Sequence, residues 1–460
     1  MKIVILINTS AFAKYYIKLG DELSNSGCDI IYAVQNEFSK ELYFSNDRMN
    51  VVVCPDISKS KLDSVSLPNE FSSWMMHPDY DRGLYYGFSN EFSGANAINH
   101  IKNTYAFFSE LFDEFSPDCV FYENISNGFA NIAYEVCNRL DIQYIGLTSS
   151  RLPNMVYFSQ FGHEIKYDIE NYIKENEFSD EELTYAKEYI ENISTVQPDY
   201  MKFNGLSNFS FKALFNKPMP SMHSLNVHFK YLYSAGYQTG IPIKSSLLYR
   251  LRDIKRYFNR KRIQKFYQDS VIFNDNTNYY LYPMHYHPES STSLLAKFDN
   301  EFEVIKNTAF SLREGEVLLV KDHISATGFE DYDFYRKVSS LPNVMLLKPE
   351  LNVKELIPKC QAIVTLTSTV GYESVLLNIP VLLFGSVFYE DHPLVVKVTS
   401  HHDIRKKLDS LPNLSDFTEY NRLYIAAYRR CCFHFTLDLR DKNTSQGIAE
   451  LAKHIIRELE

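Results

Sequence analysis

Residues 363–385 read IVTLTSTVGYESVLLNIPVLLFG. A short apolar run ends in the hydroxyl cluster Thr367, Ser368 and Thr369, with Gly371 and Glu373 just beyond. A second apolar run follows, and Pro380 leads into a third. The spacing predicts a strand, a tight turn, a helix and a second strand, which is one βαβ unit of a parallel sheet. In such a sheet the loop after each strand opens onto a ligand crevice, and the next helix aims its N-terminus there. That terminus carries unpaired N–H groups and about half a positive charge. Small residues let a phosphate approach it. Thr369 as a plain helix cap is the alternative. A capping box would need Ser or Thr three residues before Glu373, and that position is Val370. The pattern therefore favours a nucleotide site.

The same alternation recurs on both sides. "KIVILI" (2–7), a helix-spaced segment ending near Gly27, and "CDIIYAV" (28–34) open the chain as strand, helix and strand. A helix near 92–115, "DCVFYEN", "GFANIAYEVCNRLD" and "IQYIGLT" continue the series. A second series starts at "NYYLYPM" (278–284) and runs through "GEVLLVKDH", "NVMLLKP" and "QAIVTLT" into the opening stretch. We expect an α/β protein with an N-terminal Rossmann-like domain over 1–160 and a helical insertion over 161–275. A second Rossmann-like domain should span 276–412, with terminal helices over 413–460 packing back on the first. The 460 residues suit two cores rather than one.

A formal charge of −10 argues against nucleic acid as a partner. Seven scattered cysteines without a CxxC pattern read as free thiols in a reducing compartment. No apolar run approaches the roughly 20 residues of a membrane span, so a cytoplasmic protein is expected. "SDEELTYAKEYIENI" reads as an amphipathic helix opened by Ser179. "SLLYRLRDIKRYFNRKRIQKF" puts Leu247, Leu251, Ile254 and Phe258 on one stripe and eight basic residues on its other faces. A solvated face and docking on anionic lipid or a phosphate-bearing acceptor both stay open. In "HYHPE", His285, His287 and Glu289 would share one side of an extended chain. They could line a cleft or hold zinc, but no further cluster completes a metal site. "HPD" (77–79) reads as a loop without a role.

Three ordered segments carry a resemblance. "TSTVGYESVLLNIPVLLFGSVFY" resembles the Ser/Thr-Gly-x-Glu turn, "GxPV" and "G-x-x-F/Y-Y" of bacterial capsule-polysaccharide-synthesis glycosyltransferases, a group that includes the capsule-linker β-Kdo transferases. "YPMHYHPESST" (282–292) is similar to that group's "PLHxxPE", and "VLLVKDHISATG" (317–328) to its "Lys-Glu-His-Pro … Gly". The resemblance covers about 278–393, with His323-Ile324 where the group has His-Pro. It implies a GT-B-like fold of two facing Rossmann-like domains and a metal-independent sugar transfer. The nucleotide sugar is then a substrate, CMP-Kdo-like or UDP-linked, and no cofactor is needed. Lys321, Ser368, Thr369, Gly371, Glu373, His285 and Glu289 would bind the donor, with His323 assisting departure of its phosphate. From its place at a strand end, Glu123 could serve as base or belong to a helix-capping loop, both readings staying open, and Asn8, Ser10 and Asn124 would meet a glycan or lipid-linked acceptor. Work at the inner membrane, with residues 247–266 as the contact, fits the group. A sugar-nucleotide epimerase, a polysaccharide pyruvyl transferase, a metal hydrolase using the histidine pair, and a non-catalytic capsule-assembly subunit stay open as alternatives.

Overall fold

A computed structural model describes residues 1–8, 12–44, 50–55, 59–86, 89–159, 169–195, 222–231, 254–268, 278–287, 289–296, 298–412, 416–435 and 444–460. Contacts divide the chain into two units. The first comprises Met1–Gly162, Ser207–Arg252 and His434–Glu460, the second His163–Leu206 and Asp253–Phe433.

The first unit is built on strands β1 (Lys2–Ile7), β2 (Asp29–Val34), β3 (Val51–Val53), β4 (Cys119–Glu123), β5 (Gln143–Ser149) and β6 (Met155–Ser159). With β13 (Phe433–His434) at the edge, they lie in the order β13-β6-β5-β4-β1-β2-β3. β1 to β5 pair in parallel, and β6 runs antiparallel to β5. Ile3 to Ile7 are all fully buried, as a strand covered on both faces requires. The order reverses between β1 and β4, which places the crevice beyond the ends of those two strands. The helix Gly128–Leu140 follows β4, and Asn127 caps it by accepting from the Ala130 N–H at 3.0 Å. The terminal helix Thr444–Leu459 packs on Ala13–Asn25.

The second unit repeats the plan with β7 (Asn278–Pro283), β8 (Glu316–Lys321), β9 (Val344–Leu347), β10 (Ala362–Thr365), β11 (Val381–Leu383) and β12 (Val395–Lys397). All its pairings are parallel, in the order β12-β11-β10-β7-β8-β9. Its reversal falls between β7 and β10. Both sheets therefore have the doubly wound Rossmann topology expected from the alternating pattern. The helix Asp180–Glu191 has the expected Ser179 capping box. It packs on Thr418–Arg430, where Arg430 Nε donates to Glu182 at 2.6 Å.

The basic helix departs from its sequence reading. Leu247 and Leu251 lie outside the described residues, and 254–263 is helical. Ile254 and Phe258, placed on one apolar stripe by the sequence, are 40% and 59% exposed. Arg256, placed by the sequence among the basic faces left open to solvent or docking, is 9% exposed. Its guanidinium donates to the carbonyls of Thr327 (2.8 Å) and Ser325 (2.7 Å), and Arg260 donates to Thr327 (2.9 Å) and Ile324 (3.1 Å). The loop after β8 has carbonyls with no ladder to join, and two arginines supply the donors. Gly328 sits in that loop at φ +78°, and a Cβ there would press on Arg260 and on the Arg256 carbonyl. No described helix is long and apolar enough to cross a membrane.

Candidate functional site

The three segments singled out in the second half of the sequence end side by side. β10, β7 and β8 are neighbours in the sheet. The register sets Pro283 opposite Lys321 and Leu281 opposite Ile363. The loops that follow therefore bring His285, His323 and Thr367 to one edge, the carboxyl edge, where a doubly wound sheet binds its ligand.

The first of these loops is held by Glu301, which the sequence reading missed. Glu301 opens the helix Glu301–Ser311 behind Asn300, whose side chain caps it. It is 5% exposed and accepts from the His285 backbone N–H (2.9 Å), His285 Nδ1 (2.9 Å) and the Tyr282 hydroxyl (3.1 Å). His287 Nε2 lies 3.2 Å from its other oxygen. Burial pushes its pKa up, but the hydrogen bonds from the two histidines outweigh that and hold it well below the usual carboxylate range. The two histidines thus converge on Glu301 and not on Glu289. Glu289 is exposed, and its carbonyl takes the hydroxyls of Thr292 and Ser293. No described group of three or more His, Cys, Asp or Glu residues is placed to hold a metal.

Glu301 also fixes the tautomer of His285. The Nδ1–H donates to the carboxylate, so Nε2 carries a lone pair. That lone pair accepts the Thr367 backbone N–H at 3.1 Å and lies 3.3 Å from the Thr365 hydroxyl. The Thr365 hydroxyl accepts in turn from the Ser368 N–H at 3.0 Å. A buried carboxylate under one loop thereby sets the backbone of the next. Among the described residues, the Thr367 hydroxyl is buried there with no hydrogen-bond partner.

The helix Thr369–Leu376 begins at this point. Its cap is Ser368, not Thr369, and the Ser368 hydroxyl accepts from the Val370 N–H at 3.2 Å. Thr369 is the first helical residue. Gly371 faces the Tyr389 ring, whose hydroxyl donates to the Ser368 carbonyl at 2.6 Å. A Cβ at Gly371 would collide with that hydroxyl. Gly371→Ala should cost roughly 1–3 kcal/mol by overpacking. Tyr389→Phe should recover part of that loss in the double variant, and a double-mutant cycle on urea midpoints reads the recovery. Additive losses would place the strain elsewhere.

Glu373 is buried and paired with Lys354 Nζ at 3.2 Å. Lys354 also donates to the Ile193 carbonyl at 2.7 Å and adds a cation that the sequence reading did not assign. On β8, burial lowers the Lys321 pKa, with Asp322 and Glu350 opposing. His323 is pushed down to about 4 by burial and by Lys321. Its Nδ1 accepts the Ser325 N–H at 3.2 Å. At neutral pH it is therefore a neutral imidazole that presents Nε2–H as a donor, and it carries no charge.

The first unit has its own crevice residues. Glu123 ends β4, Asn124 follows it, and Asn8 follows the neighbouring β1. Ser10 lies outside the described residues. The Ser126 hydroxyl donates to Glu123 at 3.1 Å, while burial pushes the Glu123 pKa up. "HPD" is no loop: it opens the helix His77–Tyr86, with Pro78 in the first turn, where the missing N–H is harmless.

Two doubly wound sheets, each with polar side chains gathered at its switch point, define the class of Rossmann-type α/β proteins. Residues 226–427 match the family of capsule polysaccharide biosynthesis proteins, and the resembling stretch 278–393 lies wholly inside that match. No curated protein matches. Among solved structures, the KpsC β-Kdo 2,4 transferase of Thermosulfurimonas dismutans is 15% identical, with a TM-score of 0.38 over 70% of this chain and 85% of that one. The β-Kdo 2,7 transferase of the same KpsC is 10% identical, with a TM-score of 0.37 over 77% and 89%. The UDP-GlcNAc 2-epimerase of Neisseria meningitidis is 14% identical, with a TM-score of 0.27 over 100% and 99%. All three likenesses are distant.

Proposed function

We propose that this chain is a glycosyltransferase that moves a sugar from a nucleotide-sugar donor to a bacterial surface polysaccharide or lipid-linked acceptor. The observation that carries the reading is the meeting of the β7, β8 and β10 loops at one sheet edge, with a buried Thr367 hydroxyl, unpartnered among the described residues, at the start of a helix. The family match supports the same reading. The donor's phosphates sit against Ser368, Thr369 and the helix N-terminus. Lys321 supplies positive charge to the departing phosphate, and His323 donates a neutral hydrogen bond. Glu373 and Lys354 flank the ribose. In the first unit, Glu123 takes the proton of the attacking hydroxyl, and burial, which raises its pKa, makes it a stronger base. The nucleotide sugar is the substrate, and the chemistry calls for no separate cofactor. Ile254 and Phe258, exposed among Lys255, Lys261 and Lys265, support contact of this helix with an anionic membrane surface at the cytoplasmic face.

A thermal-shift screen against CMP, UDP, GDP and dTDP tests the donor site. A bound nucleotide should stabilise the folded chain by about 2.7 kcal/mol at a hundredfold excess over its dissociation constant. Ser368→Ala and Lys321→Ala should reduce that shift. The absence of any nucleotide shift would sink the reading. Glu123→Gln should abolish transfer and leave the nucleotide shift intact, whereas a non-catalytic subunit would show no turnover to lose.

A further inference from the structure

The turn that carries His323 is held from two sides. The Ala326 and Thr327 N–H groups both donate to the His323 carbonyl at 2.9 Å, so residues 323–327 close on themselves. The Ser325 N–H donates to His323 Nδ1 at 3.2 Å, which ties the ring to the same backbone. The remaining carbonyls take their donors from one face of the helix 254–263, where Arg256, Asn259 and Arg260 follow the i, i+3, i+4 spacing. Arg256 spans the carbonyls of Ser325 and Thr327, and Arg260 those of Ile324 and Thr327. Asn259 donates to the Gly328 carbonyl at 3.2 Å and the Glu330 carbonyl at 2.6 Å. On the other side the Arg256 guanidinium lies 3.9 Å from the centre of the Phe329 ring, Phe329 meets Tyr286 at 5.7 Å, and Tyr286 meets the His323 ring edge-on at 5.9 Å.

Ile324 explains why the turn needs this support. It is the second residue of the turn closed by the Ala326 N–H, the position where proline would preset φ. Isoleucine does not lock φ as proline does. The Ile324 N–H donates to no described group. The shape of the turn therefore rests on groups outside it. A guanidinium fork fixes two carbonyls relative to each other, which a single ammonium does not.

We infer that Arg256 and Arg260 are positioning residues of the donor site: by spanning the turn they fix the aim of the His323 ring, and with it the N–H offered to the donor phosphate. The inference rests on the donor reading for the word phosphate, while the hold on His323 stands on the contacts themselves.

Nitrogen chemical shifts of His323 and the nucleotide affinity of the full chain test it, at a temperature where far-UV circular dichroism shows each variant folded. The probe is whichever of CMP, UDP, GDP and dTDP stabilises the native chain. Native His323 should be protonated at Nε2 and bare at Nδ1. Arg260→Lys keeps the charge and loses the fork. It should mix the two tautomers and weaken the nucleotide about tenfold. Arg256→Lys, which releases the Ser325 carbonyl, should give the same two changes, so either variant decides the question if the other does not fold. Ile324→Pro alone should leave both readings native. Added to Arg260→Lys it should restore most of both, because proline fixes the turn from within. A role in stability alone would lower the urea midpoint and move neither reading. Native tautomer and affinity in Arg260→Lys, a loss that Ile324→Pro does not recover, or a loss caused by Ile324→Pro alone would overturn the inference. If no nucleotide binds the native chain while the tautomer responds and recovers, the donor reading fails and the hold on His323 stands. Nucleotide binding with an unresponsive tautomer defeats the positioning role alone.

Discussion

Glu301→Leu should lower the stability of the chain by about 3–5 kcal/mol, the cost of removing one partner from a buried charge network. Three donors would lose their acceptor: the His285 backbone N–H, its Nδ1–H and the Tyr282 hydroxyl. His287 would lose its partner as well. Each buried donor left without an acceptor adds its own desolvation penalty. Glu301→Gln keeps one acceptor oxygen and should cost less, roughly 1–3 kcal/mol. The functional consequence is separable from the loss of stability. With Gln at 301 the His285 tautomer is no longer fixed by a charge, so the grip of Nε2 on the Thr367 N–H should loosen. The nucleotide-induced thermal shift should then shrink even at temperatures where the variant is folded. Urea midpoints followed by far-UV circular dichroism give the first quantity. Nitrogen chemical shifts of His285 give the second, with a protonated Nδ1 and an unprotonated Nε2 expected in the native chain. A Glu301→Leu variant within about 1 kcal/mol of the native chain, or a native His285 protonated at Nε2, would show that the network does not hold the loop.

Which parts of this were legible in the sequence follows from how local each cause is. The buried parallel strands were readable because burial on both faces leaves an unbroken apolar run, as in Ile3 to Ile7. β3 and β12, three residues each, are too short to show a pattern, and antiparallel β6 breaks the expected alternation. The helix His77–Tyr86 was hidden by Pro78, although a proline followed by Asp79 is also how a helix can begin. Charge on a helical wheel misled outright. Arg256 and Arg260 looked like solvent residues, because the carbonyls they satisfy belong to a loop about 70 positions downstream. Glu301 escaped for a related reason. The histidine pair was visible, and a carboxylate partner was sought within the same extended segment at Glu289. The chain instead turns back and offers the first residue of the next helix. The strand-end positions of Lys321, His323 and Ser368 were legible, because a strand end is a local event. The tautomers and pairings that tune them were not, because those are tertiary.

The second large effect concerns Asp322, between Lys321 and His323. Asp322 is 1% exposed, and burial raises its carboxyl from 3.8 to about 6. The Tyr267 hydroxyl donates to Oδ2, and Tyr335, the Lys321 charge and the His323 backbone N–H also favour the ionised form without offsetting burial. Because the folded-state pKa lies above the unfolded value, the ionised form is the costly one in the folded chain. That cost is fully present above about pH 6, falls as pH drops through the folded pKa, and is gone below the unfolded value near 3.8. A shift of about two units corresponds to about 3 kcal/mol. Other carboxylates run the opposite way, such as Glu182, held at about 2 by the Arg430 guanidinium, so the whole chain's profile does not isolate this group. Comparison with Asp322→Asn does. The amide cannot ionise, and any fixed penalty from its unpaired N–H₂ is independent of pH. The stability of Asp322→Asn relative to the native chain should therefore rise by about 2–3 kcal/mol between pH 4 and pH 8, most of it between pH 4 and pH 6. Urea unfolding of both proteins across that range measures it. Parallel profiles would mean that Asp322 is ionised at no cost and that Tyr267, which ties the end of the basic helix to β8, together with Tyr335, Lys321 and the His323 N–H, is enough to solvate it. A converging pair would identify this buried acid as the group that loosens the β8 loop as pH rises, directly behind the two residues assigned to the departing phosphate.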